Sequence, residues 1–532
     1  MQKLLFSAIV SVFAILVIGQ VTESVAAETK IVAAEAKRGD EFGFAVAIDG
    51  NYAIVGNWRS ADKGRRSGSA LIYFFNGTTW IQQERLVASD GETVDGLGRS
   101  VDIEGDLAIA GARGDDDGGS AAGAAYIFVR DGDKWKEEDK LLAEDPSAED
   151  IFGTSVSLSG DYAIVGAYLD DDGGSATGSA YIFKRNPQGR WGQTDKLNLG
   201  KNAVALDTFG VSVSLSGDTA IIGAHQRDVK GKGVDSGAAY IFVREGEKWI
   251  EKQELSASDG KPGDYFGFSC TISGDYAIVG AYLNDEKGED AGAAYIYEHD
   301  AISKKWAEAA KITAGDTAAG DWFGHAVSIG RAGGNVAAMV GAPLDDDKGL
   351  DSGSVYSFAR TGNWTEKKKT TNSDGAEDDY FGSAIDMGGT YSISGAYRDD
   401  DAGDRSGAAY IYHSISDLAL PVEDKLQQFV LWGQIRKDAL YQNFPNPFNP
   451  ETWLPYQLVT EAEVSISIYD VDGHLIRTLS LGTQPEGVYL TKEKAAYWDG
   501  QDNTGQQVSS GSYFYHLQAG DYSATKKMVI LK

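Results

Sequence analysis

The sequence predicts an all-β chain in which a seven-bladed β-propeller is followed by a small β-sandwich. Phe-Gly, or Leu-Gly in one case, recurs at intervals of 55, 55, 57, 57, 57 and 58 residues, beginning at Phe42, Leu97, Phe152, Phe209, Phe266, Phe323 and Phe381. Each unit holds runs of strand length with both faces apolar, so it cannot be stable alone. Four-strand repeats at this period are typical of propeller blades. Short alternating runs after residue 441 predict the sandwich.

Residues 151–199 show the repeat clearly. The apolar runs of this unit are Thr154–Leu158, Tyr162–Ala167, Ser179–Lys184 and a fourth run after Trp191. Ser159-Gly160-Asp161 predicts a tight turn between the first two runs, because Gly tolerates the positive φ that such turns need. An acidic loop joins the second run to the third. Each unit is therefore predicted to be a four-stranded antiparallel meander.

The two ends of the repeat region predict how the ring closes. Units one to six carry a Trp before the fourth run, whereas unit seven ends after Tyr410-Ile411-Tyr412 without one. An unassigned run, Lys30-Ile31-Val32-Ala33, lies 12 residues before Phe42, just as the fourth run of unit two lies 12 residues before Phe152. We therefore expect a strand over residues 29–36 to complete blade seven and leave no open sheet edge. The predicted propeller spans residues 28–414.

A second dipeptide defines the repeat further. Gly-Ala ends the second run in units two to seven, with Gly341-Ala342-Pro343 in unit six. Phe-Gly followed by Gly-Ala resembles the FG-GAP repeat of integrin α-subunit propellers and of bacterial surface proteins, over residues 30–414. Much of that family has a calcium loop of the type D-x-D-x-D-G between the first and second strands. Here that connection is only Ser-Gly-Asp or its equivalent, so the family's calcium ligands do not transfer by position.

The charge balance narrows the classes of partner. With 79 acidic against 48 basic residues, the chain carries a formal net charge of −31. A chain this acidic repels polyanions, so we expect neither nucleic acid nor an anionic membrane surface as a partner, and cations or basic ligands are favoured. The same acidity also suits an extracellular protein that it merely keeps soluble.

The N-terminus predicts export. Lys3 precedes an apolar run from Leu4 to Ile18, and Val25-Ala26-Ala27 offers a cleavage site, so residues 1–27 are predicted to be a secretory signal peptide. As a helix the apolar run would span about 22 Å, short of a bilayer core of about 30 Å, and an uncleaved anchor is the alternative. The mature chain would have no transmembrane segment and be extracellular or at the outer cell surface. The single cysteine, Cys270, is expected to be a small core residue.

The acidic loops are the main candidate for a binding site. Four loops between second and third runs carry three consecutive aspartates: Asp115, Asp116 and Asp117; Asp170, Asp171 and Asp172; Asp345, Asp346 and Asp347; Asp399, Asp400 and Asp401. In an up-and-down blade these loops share one face with the loops between blades. Close carboxylates in glycine-rich loops suit Ca²⁺, which takes 6–8 oxygen ligands. Solvated turns are the alternative, since consecutive aspartates do not match the alternating spacing of known calcium loops.

Two Arg-Gly-Asp triplets, Arg38-Gly39-Asp40 and Arg113-Gly114-Asp115, would lie on the same face. One interpretation is that they bind an integrin. The alternative is that they occur by chance in a chain rich in Gly and Asp.

Sequence evidence for catalysis is thin. The six histidines are scattered, and neither Gly-x-Ser-x-Gly nor His-Glu-x-x-His occurs. The residues expected to line the channel stand two places after each Phe or Leu: Phe44, Arg99, Thr154, Val211, Phe268, His325 and Ser383. None is a carboxylate. We therefore expect that the protein is not an enzyme and that it has no catalytic residues.

The character of the chain changes after Tyr412. Residues 415–440 are predicted to be a linker, and residues 441–532 a β-sandwich. Asn443-Phe444-Pro445-Asn446-Pro447-Phe448-Asn449-Pro450, Trp498-Asp499-Gly500 and a terminal Lys-Lys-Met-Val-Ile-Leu-Lys resemble the C-terminal sorting domain of type IX secretion substrates and the related Ig-like domain of flagellar hook-capping proteins. The resemblance implies passage across an outer membrane through secretion machinery. An ordinary sandwich module is the alternative.

These features predict an exported adhesion or recognition protein that binds a protein or glycan ligand on its acidic loop face. The main rival is a hydrolase or lyase of extracellular polymers with its site in the propeller channel, which a cluster of carboxylates or histidines in the channel would favour. A structural surface-layer component is the third possibility.

Overall fold

The structure is a computed structural model that describes residues 28–332, 335–413, 439–441, 443, 451–471, 473–485, 487–489, 494–520 and 522–530. The chain divides into two compact units, residues 1–420 and 421–532. The predicted signal peptide, all of the predicted linker before residue 439, the proline-rich stretch 444–450 and the last two residues lie outside the described residues.

The first unit contains seven four-stranded antiparallel sheets, which are the blades, so the predicted all-β propeller is confirmed. The strands of blades one to three are Val46–Asp49, Tyr52–Gly56, Ala70–Phe75 and Trp80–Leu86; Ser100–Glu104, Leu107–Ala112, Ala124–Asp131 and Lys134–Leu141; Ser155–Ser159, Tyr162–Ala167, Ser179–Arg185 and Trp191–Leu197. Those of blades four to six are Val213–Ser216, Thr219–Ala224, Ala238–Glu245 and Lys248–Leu255; Cys270–Ser273, Tyr276–Ala281, Ala293–Asp300 and Lys305–Ile312; Ala326–Ala332, Asn335–Ala342, Ser354–Thr361 and Asn363–Thr370. A short 3₁₀ helix, Gly200–Asn202, joins blades three and four.

Blade seven is built from both ends of the repeat region. Its first three strands are Ala384–Gly388, Tyr391–Ala396 and Ala408–Tyr412, and its fourth is the N-terminal strand Glu28–Ile31. Glu28 pairs with Tyr412 and Ile31 with Ala409 in antiparallel register. The strand ends earlier than the expected residue 36, because the chain turns where the Ala36 N–H donates to the Ala33 carbonyl. The N-terminal strand therefore gives blade seven its fourth strand and covers the edge of Ala408–Tyr412.

Glycines hold the backbones of neighbouring blades in close contact. A Cβ atom on Gly166, from the Gly-Ala of blade three, would lie 2.0 Å from the carbonyl oxygen of Gly210, from the Phe-Gly of blade four. A Cβ on Gly178, which precedes the third strand, would lie 2.1 Å from the Phe209 carbonyl oxygen. The Gly-Ala contact recurs around the ring at 1.9–2.0 Å, through Gly56, Gly111, Gly166, Gly223, Gly280, Gly341 and Gly395. The repeat motif is therefore a packing requirement.

Aromatic residues fill the space between the sheets. Phe152 is fully buried, and its ring lies 5.4 Å from that of Tyr181 and 5.9 Å from that of Phe183. The tryptophans before the fourth strand, expected to be packing anchors, are buried in four blades, at Trp80, Trp135, Trp249 and Trp306. Trp191 and Trp364 are only half-buried. Cys270 is a buried core residue.

The second unit is a small strand-rich domain with its own core. One four-stranded antiparallel sheet contains, in spatial order, Leu475–Gln484, Ala462–Tyr469, Gly511–Ala519 and Tyr522–Ile530. The shorter strands are Ala439–Leu440, Thr452–Leu454, Tyr456–Leu458, Gly487–Tyr489 and Ala496–Trp498. Trp498 is fully buried, and its Nε1 donates to the Gln501 carbonyl at 2.9 Å. Across the described part of the chain, helices long and apolar enough to cross a membrane are absent.

We predict that Gly166→Ala destabilises the propeller by at least about 2 kcal/mol, because its methyl group would overlap the Gly210 carbonyl and force two blades apart. Gly192→Ala is the matched control, since Gly192 is exposed in the same blade and its Cβ would meet nothing within 4 Å. We expect that change to stay within about 0.5 kcal/mol. Urea unfolding of the full chain measures both, and equal stabilities would contradict the packing explanation.

Candidate functional site

The predicted acidic loops are organised around lysine side chains. In blade three, Lys196 Nζ lies 2.8 Å from Asp145 Oδ2, 2.9 Å from Asp170 Oδ2 and 2.5 Å from Asp172 Oδ2. The Tyr181 hydroxyl donates to Asp170 at 2.6 Å, and Lys196 Nζ lies 5.1 Å from the centroid of the Tyr181 ring. The fourth strand thus directs an ammonium group into the carboxylates of two loops. We call this arrangement a lysine cage.

Lysine cages recur in five blades. The other complete ones comprise Lys140 with Asp90, Asp115 and Asp117; Lys369 with Asp316, Asp345 and Asp347; and Lys30 with Asp374, Asp399 and Asp401. Blade five has a variant in which Lys311 pairs with Asp259 and Glu286. Lys30 belongs to the N-terminal strand, so the strand that closes the ring also supplies the cage of blade seven.

The three consecutive aspartates of each loop have different roles. The first, at Asp115, Asp170, Asp345 and Asp399, is buried and pairs with the lysine. The third, at Asp117, Asp172, Asp347 and Asp401, is exposed yet also pairs with the lysine. The second, at Asp116, Asp171, Asp346 and Asp400, is exposed. Of the three positions, the second is the one that does not pair with the lysine.

The ion pair of Lys140 and Asp90 shifts the pKa of each group toward its charged form. Burial lowers the pKa of Lys140, but hydrogen bonds to Asp117, Asp115 and Asp90 outweigh it, so the net shift is upward. Burial raises the pKa of Asp90, but its bonds to Lys140 and Tyr126 outweigh this effect and leave the pKa below its usual value. Three carboxylates around one ammonium leave each complete cage with net negative charge, so the rim of the loop face is acidic.

A calcium ion would have to compete with the lysine for these oxygens. In blade seven the candidate ligand oxygens of Asp374, Asp399 and Asp401 lie within 4.8 Å of one another, but Lys30 Nζ already lies 2.7–2.8 Å from all three. With the ammonium in place, the residues do not offer the 6–8 free oxygens that Ca²⁺ takes. Calcium binding stays a prediction, which removal of a lysine tests below.

Both Arg-Gly-Asp triplets have a buried aspartate. Asp40 is 7% exposed and accepts a hydrogen bond from the Lys37 N–H at 3.0 Å. Asp115 is 3% exposed and belongs to the Lys140 cage. Neither carboxylate is placed to ligate a partner's metal ion, so this geometry favours the chance interpretation.

The inner strands, which are the first strand of each blade, surround a channel of about 490 Å³. Four carboxylates line it: Asp102 in blade two and Asp386 in blade seven lie within their inner strands, whereas Asp49 and Glu104 are exposed at strand ends. None of the four was among the expected channel-lining positions. Asp102 accepts hydrogen bonds from the Leu158 N–H at 2.7 Å and the Ile103 N–H at 2.8 Å. Asp386 accepts from the Ile48 N–H at 2.9 Å. The channel carboxylates therefore bind the free edge of the next blade's inner strand.

In other blades a serine hydroxyl accepts the equivalent hydrogen bond from the next blade. The Leu215 N–H donates to Ser157 Oγ at 3.1 Å, and the Ile272 N–H donates to Ser214 Oγ at 3.2 Å. Asp102 and Asp386 occupy the corresponding third position of their inner strands. Their location is accounted for by blade-to-blade hydrogen bonding.

A ring of aromatic and basic side chains lies at the loop-face end of the inner strands. We call it the mouth collar: Phe44, Trp58, Arg99, Arg113, Tyr168, His225, Tyr265, Phe268, Tyr282, Trp322, His325, Tyr380 and Tyr397. Neighbouring members pack with their rings tilted, for example Phe44 against Tyr397 at 5.2 Å, and Phe268 against Tyr282 at 4.5 Å and His325 at 5.1 Å. Burial lowers the pKa of His225 and His325 to about 4, so both are neutral at pH 7.

The collar keeps aromatic residues where the backbone disfavours them. Tyr265, Trp322 and Tyr380, each directly before a Phe-Gly, have φ of 54°, 58° and 59°. The equivalent residue has a positive φ in the other four blades too, at Glu41, Gly96, Ile151 and Thr208, so this conformation belongs to the repeat. A bulky residue in this region costs about 1 kcal/mol or more, and such strain is concentrated at binding sites in proteins. What distinguishes the mouth is that three of these seven positions carry aromatic side chains, which makes it a candidate ligand site.

The chain matches two family models. The FG-GAP repeat matches seven times, at residues 25–73, 80–128, 135–183, 191–242, 249–297, 306–358 and 364–412. The FlgD Ig-like domain matches residues 455–523. Curated protein sequences give no match.

Solved structures resemble the fold at low identity. A periplasmic gluconolactonase of Pseudomonas aeruginosa, PpgL, is 13% identical with a TM-score of 0.41, over 63% of this chain and 86% of its own. A putative 6-phosphogluconolactonase from Bacteroides uniformis is 13% identical with a TM-score of 0.44, over 66% of this chain and 90% of its own. These similarities carry no information about the activity of this chain.

We predict that Lys196→Met destabilises the propeller by about 2–4 kcal/mol, because Asp170 stays buried without its cation. Calcium should then raise the melting temperature of the variant more than that of the wild type, since the emptied cage offers three carboxylates. Lys134→Met is the control. Lys134 is exposed, and its one ion pair among the described residues is a long contact of 3.5 Å between its Nζ and Glu84 Oε2. Equal, saturable calcium stabilisation of wild type and variant would contradict the competition between lysine and metal.

A second prediction concerns pH. Burial raises the pKa of Asp102 to about 7, and the charge of Asp386 adds to the effect. The folded chain therefore keeps a proton that the unfolded chain releases near pH 4, and the free energy of unfolding falls as pH rises from about 4 to about 7. Asp102→Ser, which copies Ser157, should flatten this dependence. Urea unfolding at pH 5 and pH 7.5 tests it, with exposed Asp133→Ser as control; parallel profiles for all three proteins would contradict the assignment.

Proposed function

Because the chain belongs to the FG-GAP repeat family, we propose that it is an exported, non-catalytic recognition protein that binds a protein or glycan ligand on the loop face of its propeller. The mouth collar is the observation that carries this proposal. It gathers aromatic side chains from several blades at one point of the loop face. Rigid propeller strands hold the collar in place before any ligand arrives, which lowers the entropic cost of binding.

The acidic loops form the rim of the loop face around the collar, and they contribute charge to ligand binding rather than contact area. Its lysine cages hold the loops in fixed conformations, and the exposed second aspartates surround the mouth with negative charge. Such a field repels unsuitable partners and orients suitable ones during encounter.

The C-terminal unit supports an export role. The FlgD Ig-like match covers most of the strand-rich domain, and its motifs resemble the sorting tails of type IX secretion substrates. We propose that residues 441–532 engage secretion machinery and that residues 1–27 direct the first membrane passage. Deletion of residues 441–532 tests the proposal by the location of the remaining chain.

A hydrolase or lyase remains the second candidate, because Asp102 lies in the channel with its pKa near 7, as a general acid or base requires. Its hydrogen bonds to Leu158 and Ile103 favour the structural role. Release of reducing ends from extracellular polysaccharides by wild type but not by Asp102→Ser would establish the enzyme instead.

Binding of the full chain to arrayed glycans and extracellular proteins tests the proposed function. We predict that Trp322→Ala weakens the strongest interaction at least about tenfold, because a central aromatic contact contributes about 2 kcal/mol or more. Trp364→Ala is the matched control, since Trp364 is half-buried in the outer strand of blade six. An interaction that both variants retain would place the ligand elsewhere and contradict the proposal.

A further inference from the structure

Arg99 is a positively charged side chain that has no ion-pair partner among the described residues. Its guanidinium carbon lies 3.8 Å from the centroid of the Phe44 ring and 5.6 Å from that of Trp58, and its Nε is buried without a hydrogen-bond partner. Within the described ranges it forms no ion pair, whereas nine other arginines of the propeller pair with a carboxylate. Seven arginines of the described propeller form no ion pair, and Arg99 is the one among them whose Nε is buried without a hydrogen-bond partner.

A second cation lies beside it. The Arg113 guanidinium is 5.6 Å from the centroid of the same Trp58 ring, and it too lacks an ion pair among the residues that the structure describes. Its positive charge, together with the burial of Arg99, lowers the pKa of Arg99 to about 9. The nearby carboxylate of Glu41 acts on the pKa of Arg99 in the opposite direction, but Glu41 is itself paired with Arg59. A bound anion would relieve the remaining repulsion and the loss of hydration.

The other side of the mouth offers ring surfaces and a neutral imidazole. His325 is close enough for the charge of Arg99 to lower its pKa, and its buried Nδ1 has no hydrogen-bond partner. Trp322 stacks on His325 with a 10° interplanar angle, and Phe268 packs against the same imidazole. A ligand between the two sides would therefore meet guanidinium groups at one end and aromatic faces at the other.

The negative charge of the surrounding rim limits how many negative charges a ligand at the mouth can carry. The lysine cages keep net negative charge, so a polyanion would have to lie across repelling carboxylates to reach the arginines. A single anionic group at the end of an otherwise neutral molecule avoids this repulsion. A guanidinium matches the planar geometry of a carboxylate through two parallel hydrogen bonds.

We propose that the mouth collar binds the carboxylate of a terminal acidic sugar, with Arg99 and Arg113 on the carboxylate and the aromatic side chains against the sugar ring. The proposal rests on the proposed function for placing the ligand on the loop face, and it adds the ligand class. Both arginines act as binding residues.

Methyl β-D-glucuronide and methyl β-D-glucoside are matched probes, because they differ only in the carboxylate. Calorimetry and saturation-transfer NMR on the full chain should detect glucuronide binding at least about tenfold tighter than glucoside binding. Arg99→Met and Arg113→Gln should each remove most of this preference. Arg331→Gln, an exposed arginine at the opposite end of an inner strand, should leave it unchanged. Polygalacturonate should bind more weakly per sugar than the monosaccharide.

The melting temperature of Arg99→Met separates binding from structure. Removal of an unpaired buried cation should leave it unchanged or raised, whereas a structural arginine would lower it. Equal binding of glucuronide and glucoside, or unchanged binding by Arg99→Met, would overturn the proposal. Inorganic sulfate or a peptide with a free C-terminal carboxylate competing as well as glucuronide would overturn the sugar class. Array binding that depends on Trp322 but not on Arg99 would preserve the proposed function and reject only the acidic sugar.

Discussion

Close backbone contact between neighbouring blades is the constraint on which the rest of this propeller depends. The carbonyl of one blade's Phe-Gly occupies the space that a side chain would take on the preceding blade's Gly-Ala, at every junction of the ring. This contact fixes where the inner strands begin, and so it fixes the channel below and the collar above. Loops that leave such a fixed edge can carry charged and strained residues without loosening the blades.

The sequence was informative wherever one residue type repeats for one physical reason. Gly166 and its equivalents recur because only glycine fits against the Gly210 carbonyl, so the blade number and the closure by residues near Lys30 could be predicted. The lysine cages could not, because Lys196 lies far along the chain from Asp145 and only the fold brings them within 2.8 Å. The repeat still held a signal, since a lysine recurs near the end of the fourth strand in several units.

The candidate site was harder to predict because its residues come singly from different positions of the repeat. Only Phe44, Arg99, Phe268 and His325 were among the expected channel-lining positions; Trp322 and Arg113 come from the residues before Phe-Gly and after Gly-Ala. Asp102 was missed because the hydrogen-bonding position of an inner strand lies three residues beyond the one considered. Physical reasoning on a repeat therefore finds what every blade must share. It does not predict residues that occur in only some blades, and the candidate ligand site is built from such residues.

The loop face combines two kinds of charge. Around the rim, internal ammonium groups hold carboxylates together. At the centre, Arg99 and Arg113 lie against aromatic rings and form no ion pair with any residue that the structure describes. The most direct test is a crystal structure of the full chain grown with both calcium and methyl β-D-glucuronide. The account predicts Lys196 still bound to Asp145, Asp170 and Asp172, and the sugar carboxylate at Arg99. Calcium in the cages with the lysines displaced, and no sugar at the mouth, would contradict it.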